Sequence, residues 1–455
     1  MNTQHQFDHP NPFLLVSYFF PPVGGAASDR ITKMCKYLPR FGWTPHVLTV
    51  KNPYYTIKND VLDEKILSEV NVHRSRALLP KRFASRIMNC IMHYKSKLPA
   101  EGMIHTNPAP HRNTFLKEFV YPWVFFPDEY VGWIPFGFSM GCSLVQKYGL
   151  RFIYTSSPPN SVHCIGSLIK RRCKIPWIAE FRDTWDVWGE WYNPHQWKFR
   201  NRFEMKLEKS LIDSADHIVA VTDGIKDDLL SRITTLSTEK CSVIPNGWDP
   251  DDFRGIISYN FGDRFTLVHA GSFYWWRKPD KFLEGLKRWL ESGTAEIRKK
   301  CSVEFLGRVE PENTMSIQRL GLDNVVKCPG MLSYQETLAR ITGANVLILI
   351  VGDLLKPQLM RTRKLYDYII TGKPILIVGN GSEAESLIKH LGVPFKVVDP
   401  DNPEAIAAAL DEFARNASPL TKLHLNETDP QWQFSWQSIA EQSDSLFQNI
   451  CNKTR

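Results

Sequence analysis

Apolar residues in this chain gather into short unbroken runs, and between the runs they recur every third or fourth position. A run of about four to eight bounded by Gly, Pro or polar residues reads as a strand covered on both faces; the wider spacing reads as a helix with one buried face. The first run, 13–17, breaks at Pro21-Pro22-Val23-Gly24-Gly25 and gives way to a helix expected over about 29–41. Ile31, Met34, Cys35 and Leu38 share one face of it, and Ser28 or Asp29 stands at its cap. A strand at 45–50 completes a βαβ opening. The pattern resumes with a strand at 151–155, a helix at 161–172, a strand at 177–181, a polar helix near 197–213 and a strand at 217–222, before Asn246-Gly247 marks a turn.

A second series begins with a strand at 265–270. It continues through a helix at 279–290, a strand at 303–306, helices near Glu312 and Ser333, a strand at 346–351, a helix over about 364–371 and a strand at 374–378. Short apolar strands alternating with helices, twice over, predict an α/β architecture of two doubly wound parallel-sheet, Rossmann-like domains facing a central cleft that holds the ligands. The expected boundaries are 1–248, 249–430, and 431–455 for a last helix, about 436–450, that crosses back to the first domain. Residues 51–150 alternate less regularly and read as an elaboration.

Composition narrows the class. At 455 residues the chain exceeds what one core usually serves, which agrees with two domains. Its nine cysteines form no C-x-x-C pair and no cluster with histidine, so neither a disulfide framework nor a zinc site is favoured, and a reducing cytoplasm fits. The run at 13–20 has no Lys or Arg before it and Pro-Pro-Val-Gly-Gly after it, so it reads as a strand and not as a signal peptide. The apolar run at 345–351 is far short of the roughly 20 residues a membrane helix needs.

The net charge of +8 is uneven. Lys81, Arg82, Arg86, Lys95, Lys97, Arg112 and Lys117 stand against Glu101 alone, and Phe119, Tyr121, Trp123, Phe125, Phe126, Tyr130, Trp133, Phe136 and Phe138 follow. This basic and aromatic insertion, about 81–138, suits the face of a peripheral protein on an anionic membrane, where cations meet headgroups and rings settle at their boundary. The alternative is a solvated basic face beside an aromatic core segment. Nucleic acid is not expected, because Pro122, Pro127 and Pro135 interrupt the aromatics and no recognised module is present.

Two places carry candidate chemistry on their residues alone. Gly24 and Gly25 follow a strand and precede a helix, so their loop is either an ordinary tight turn or a cradle whose N–H groups meet a phosphate. Glu180, Arg182 and Asp183 leave the end of a strand, where a parallel sheet presents side chains to its ligand; a structural ion pair is the other reading. His163, His217 and His269 read as satisfied internal histidines, with His269 alone kept in reserve.

Six motifs in order give the chain a resemblance to the GT-B fold glycosyltransferases of family 4. They are the Pro-Pro-x-Gly24-Gly25 loop, Ser156-Ser-Pro-Pro159, Glu180-Phe-Arg182-Asp183-Thr-Trp185, Ile244-Pro-Asn246-Gly247, His269-Ala-Gly271-Ser272 with Arg277, and Lys364-Leu-Tyr-Asp367 through Gly372-Lys-Pro374. The resemblance implies transfer of a sugar from a nucleoside diphosphate sugar to an acceptor hydroxyl, with retention of configuration and without a metal or other cofactor. It implies acceptor-side roles for Asp183, Arg182 and Glu180, and donor-side roles for Gly24, Gly25, Gly271, Ser272, Arg277, Lys278, Lys364 and Asp367. The cationic, aromatic surface expected on the first domain suggests that the acceptor is a saccharide or a lipid-linked one, in cell-surface polysaccharide or glycolipid assembly. Two departures stand out: Ser272 replaces an arginine that many members carry, and Leu359 replaces the first of two glutamates spaced eight apart, Asp367 standing in the second place. Cationic Arg361 and Arg363 at the start of that helix oppose its dipole, an arrangement that a bound anion would relieve. A nucleotide-sugar 2-epimerase of the same fold and a non-catalytic sugar- or partner-binding relative are the rival readings.

Overall fold

The computed structural model describes residues 11–51, 53, 70–78, 125–185, 198–273, 277–292, 295–352, 359, 361–381, 383–416 and 423–453. These fall into two compact units. One holds the described residues up to Pro245 together with the chain from Ile439 onward, the other those from Asn246 to Ser438.

The first unit runs β1 (Asn11–Val16), α1 (Ala26–Tyr37), β2 (Trp43–Val50), β3 (Asn71–Ser75), α2 (Ile134–Tyr148), β4 (Ile153–Ser157), α3 (Ser161–Cys173), β5 (Trp177–Phe181), α4 (Lys198–Ser214), β6 (His217–Ala220), α5 (Asp223–Arg232) and β7 (Cys241–Val243). Its strands pair in the order β3-β2-β1-β4-β5-β6-β7, all parallel. The chain starts at the centre, winds out one way and then returns to wind out the other, so the strand order reverses between β1 and β4. Helices cover both faces of such a sheet, which is why Phe13, Leu14, Leu15 and Val16 are all fully buried.

The second unit repeats the plan. After α6 (Pro250–Phe253) come β8 (Phe265–Ala270), α7 (Asp280–Ser292), α8 (Ala295–Lys300), β9 (Cys301–Leu306), α9 (Pro311–Arg319), β10 (Val326–Gly330), α10 (Tyr334–Gly343), β11 (Val346–Ile350), α11 (Lys364–Ile370), β12 (Ile375–Val378), α12 (Glu383–His390), β13 (Phe395–Val398) and α13 (Pro403–Arg415). The strand order is β10-β9-β8-β11-β12-β13. Phe282, Leu283, Leu286 and Trp289 line one face of α7 and join Ile406 and Leu410 of α13 in the core on one side of this sheet. Ser333 and Glu336 form a capping box at the head of α10.

The last helix, α14 (Trp436–Lys453), packs on the first sheet. Its Phe447 is fully buried, with ring centroids 5.5 Å from Phe13, 4.8 Å from Phe152 and 5.4 Å from Trp43. The Trp43 indole donates to Asp444 at 2.7 Å.

Two expectations need correction. Helix α1 begins at Ala26 with Gly25 as its cap, so Ser28 and Asp29 lie inside the first turn and donate their N–H groups to the Gly25 carbonyl. A positive φ of 99° at Gly25 sets that start, a conformation that costs a residue with a Cβ. Part of the aromatic segment expected at a membrane face belongs to the core: Phe125, Tyr130 and Trp133 are buried, Tyr130 against Tyr18 at 4.2 Å, and the Trp133 indole donates to Ser75 at 2.6 Å, while Phe126, Phe136 and Phe138 are half-buried. Asp128 from the same segment accepts from the Ser161 N–H and hydroxyl at the head of α3. Trp123 and the cations at 81–117 lie outside the described residues. No described helix is long and apolar enough to cross a membrane.

Truncating Phe447 removes an aromatic ring from the contact between α14 and the first sheet. Phe447→Ala is expected to cost about 3–5 kcal/mol, read as a lower denaturant midpoint in chemical unfolding; an unchanged midpoint would show that α14 adds nothing to the first unit.

Candidate active site

In a parallel sheet the side chains that meet ligands stand where the strands end. In the first unit that edge is held by Glu180, one residue before the end of β5. Glu180 is fully buried and its Oε2 accepts from Arg30 of α1 twice, from Nε at 2.8 Å and from a terminal nitrogen at 2.6 Å. Tyr154 of β4 donates to the same oxygen at 2.6 Å, and Ser156 donates to Oε1 at 2.5 Å. Arg30 also donates to the carbonyls of Pro245 at 2.7 Å and Ile244 at 3.0 Å. Burial pushes the Glu180 carboxyl up, but the Arg30 guanidinium and the hydroxyls outweigh it and hold the group below the usual carboxylate range.

Glu180 is therefore an internal counter-ion, and its expected acceptor-side role is corrected: no face of the carboxylate reaches solvent. Arg182 is also committed to structure. Its three nitrogens donate to the carbonyls of Ser157 at 2.7 Å, Ala27 at 2.8 Å and Pro158 at 3.1 Å, tying the head of α1 to the loop after β4. Asp183 follows in the turn, half-buried. His163 lies against Phe181 in a tilted pair with ring centroids 4.5 Å apart and shares a hydrogen bond with Thr155, and burial lowers its pKa to about 3, as suits an internal neutral imidazole.

The corresponding edge of the second unit is different. Gly271 directly follows β8 with φ 132°, and a Cβ there would stand 3.0 Å from Nζ of Lys364, the first residue of α11. Lys364 Nζ lies 3.0 Å from Nε2 of His269. The imidazole is buried, and its Nδ1 sits 3.0 Å from the Ile348 carbonyl, which can only accept, so Nδ1 carries the proton and Nε2 offers its lone pair to the lysine. Burial, then the charges of Lys364 and Arg277, hold His269 well below the usual imidazole range and keep it neutral. Arg277 is 6% exposed, close enough to Lys364 for its charge to act on that group.

Asp367, one turn along α11, is buried. It accepts from the Tyr334 hydroxyl at 3.0 Å, with Arg363 at 3.9 Å from its other oxygen and stacked on the Tyr334 ring. Ser272 accepts from the Arg308 N–H at 3.1 Å. Lys278 points elsewhere: it is exposed and pairs with Glu312 at 3.6 Å. Leu359 is buried, so an apolar side chain occupies the place of the missing glutamate. The structure thus brings Gly271, Lys364 and Arg277 together around His269, with Asp367 a turn away along α11, and leaves Lys278 outside the group. Arg30, Tyr334 and Tyr368 were not expected from the sequence; a buried arginine inside an amphipathic helix was the one available signal, and its partner lies 150 residues away.

Comparison with known proteins fits this geometry. Residues 105–252 match the family model described as Glycosyltransferase Family 4. The chain has the GT-B fold. A glycosyltransferase from Rickettsia africae superposes with a TM-score of 0.63 at 14% identity, covering 97% of this chain and 98% of that one. HepE of Anabaena, solved in complex with UDP, gives 0.63 at 13% identity over 96% and 100% of the two chains. Sucrose-phosphate synthase from Thermosynechococcus elongatus gives 0.62 at 15% over 97% and 99%. No curated protein matches this GT-B chain in sequence.

The Arg30–Glu180 pair yields a stability prediction. Arg30→Met leaves a buried carboxylate uncompensated and is expected to cost about 3–5 kcal/mol near neutral pH. The parent pair stabilises above the usual carboxylate pKa and loses that contribution as pH falls, so the gap between variant and parent should narrow on acidification. Denaturant titrations at neutral and mildly acid pH measure it; a gap independent of pH would mean that Glu180 is not the group left stranded.

Proposed function

We propose that the chain transfers a sugar from a nucleoside diphosphate sugar to an acceptor hydroxyl, and that the donor's diphosphate sits at the end of β8 against Gly271, Arg277 and Lys364. One observation carries the reading: two cationic side chains approach each other at a ligand edge, and the hydrogen-bond partner of Lys364 is a neutral imidazole, not a carboxylate. Like charges held close together disfavour each other, and a diphosphate placed against them relieves that cost. The same charges favour the extra negative charge that develops on the diphosphate as the sugar leaves, which supports a reaction in which the cationic side chains serve as the electrostatic catalyst without a metal. The UDP bound to HepE supports a nucleoside diphosphate as the ligand class.

Asp367 is assigned to the ribose, because a carboxylate accepts from vicinal hydroxyls, and Tyr334 and Arg363 fix its position. Asp183 is assigned to the acceptor hydroxyl, with Arg182 holding the loop beneath it. Gly24 and Gly25 offer backbone N–H groups at the head of α1 to an anionic group of the substrates. Retention of configuration follows the family resemblance. A saccharide or lipid-linked acceptor at the cytoplasmic membrane face, in polysaccharide or glycolipid assembly, rests on the basic composition of 81–117 alone.

Thermal-shift titration with nucleoside diphosphates and their sugars tests the reading, since a ligand that binds only the native state raises its apparent stability. Arg277→Ala should weaken UDP by roughly 10- to 150-fold, the equivalent of losing a charge-assisted hydrogen bond of about 1.5–3 kcal/mol, while leaving uridine nearly unchanged. Equal losses for both ligands would take Arg277 out of the phosphate site.

Asp183→Ala should keep donor affinity and lower turnover about 100-fold or more, as for a group needed mainly in the transition state. Parent turnover in a folded variant would exclude Asp183.

A further inference from the structure

The hydrogen bonds around Lys364 fix more than its position. The Ile348 carbonyl accepts from His269 Nδ1 at 3.0 Å and from the Tyr368 hydroxyl at 3.3 Å, while Tyr368 in turn accepts from the Ala270 N–H at 2.8 Å. These bonds orient the His269 ring, and stacking on Phe273 at 4.7 Å holds its plane. Nε2 is left as a pure acceptor aimed at Lys364 Nζ, 3.0 Å away, beside the glycine that follows β8. An acceptor of this kind can take a hydrogen bond from a neutral amine as well as the stronger one from an ammonium. It supplies no charge to keep the proton on.

The other ionisable groups around Lys364 do not supply that charge either. Arg277, in the loop after β8, is a like charge. On α11, Asp367 is engaged by Tyr334 and Arg363, and Tyr368 by backbone. Arg361, before the helix, pairs with Glu383 of α12 at 2.9 Å. Burial, and after it the Arg277 charge, hold the Lys364 ammonium well below the usual lysine range. A diphosphate brings the missing counter-charge.

We propose that Lys364 takes up a proton from solvent when the donor's diphosphate binds, and that His269 is the positioning residue that holds the amine at Gly271 to receive it. The inference rests on the donor-site reading above and adds a proton to it: neutral amine plus proton plus diphosphate gives an ammonium–diphosphate pair, with no other bond made or broken. Release of the diphosphate after transfer returns the proton to solvent. The direction of the pH effect follows. Because the free protein holds this lysine depressed and the complex raises it, UDP affinity falls as pH rises through the free-protein value, with a limiting slope of about tenfold per pH unit.

Calorimetry of UDP binding to the full chain, in two buffers of different ionisation enthalpy at about pH 8, reads the proton directly, because a terminal phosphate whose second pKa is about 6 is already ionised there. Net uptake is expected for the parent protein. Lys364→Arg should still bind UDP but with no uptake and a flat pH profile, since a guanidinium does not titrate in this range. His269→Phe keeps the aromatic stack and removes the acceptor, so the freed amine regains solvent and the fall in affinity should move to higher pH. Absence of UDP binding by the parent would overturn the donor-site reading and this inference together. Binding without uptake, or equal uptake by Lys364→Arg, would overturn the proton uptake alone, and an unchanged profile in His269→Phe would remove the histidine's role.

Discussion

A carboxylate taken fully out of water must find its charge balance inside the protein, and Glu180 does so through Arg30. That requirement organises the ligand edge of the first unit. Arg30 lies in α1, Glu180 near the end of β5, Tyr154 and Ser156 on β4, and the Ile244 and Pro245 carbonyls where the chain leaves β7. Four segments far apart in sequence are thus fixed to one pair of charges. Arg182 extends the arrangement by joining the head of α1 to the loop after β4 through three carbonyls. The half-buried Asp183 follows directly on that anchored residue.

The second unit solves the opposite problem. Lys364 stands beside another cation and hydrogen-bonds to a neutral ring, so its balance is not found among its described neighbours. Buried charge left without a counter-ion lowers stability, and proteins keep such arrangements where a ligand completes them. Gly271 serves the same end sterically, because any side chain there would press on the Lys364 amine.

How far the sequence reveals this depends on burial. Strands β1, β2, β4, β5, β6, β8, β9, β11 and β12 appear in the chain as apolar runs because sheet and helices cover both of their faces. The strands that escape such reading, β3, β7, β10 and β13, are the four sheet edges. In β10 only Val326 is buried while Lys327, Cys328 and Pro329 face outward, so no run forms; edge strands carry charge and proline to discourage further pairing. Side-chain partnership is less legible still. Nothing in Glu180-Phe-Arg182-Asp183 says which carboxylate is internal, since the deciding partner, Arg30, lies in another helix.

Glu180 and Lys364 differ in how their charges are balanced. Both sit at strand or helix ends in motifs that resemble those of a transferase family, so motif membership does not tell them apart. The inventory of partners does. Glu180 has a guanidinium and two hydroxyls, enough to satisfy both oxygens without substrate, and a ligand could recruit it only by dismantling that set. Among the described residues Lys364 has an acceptor but no counter-charge, so a ligand that supplies one gains the interaction without displacing a described protein group. Binding free energy is greatest where the free protein holds the site ordered but electrostatically incomplete, because the ordering cost is already met and the missing charge arrives with the substrate.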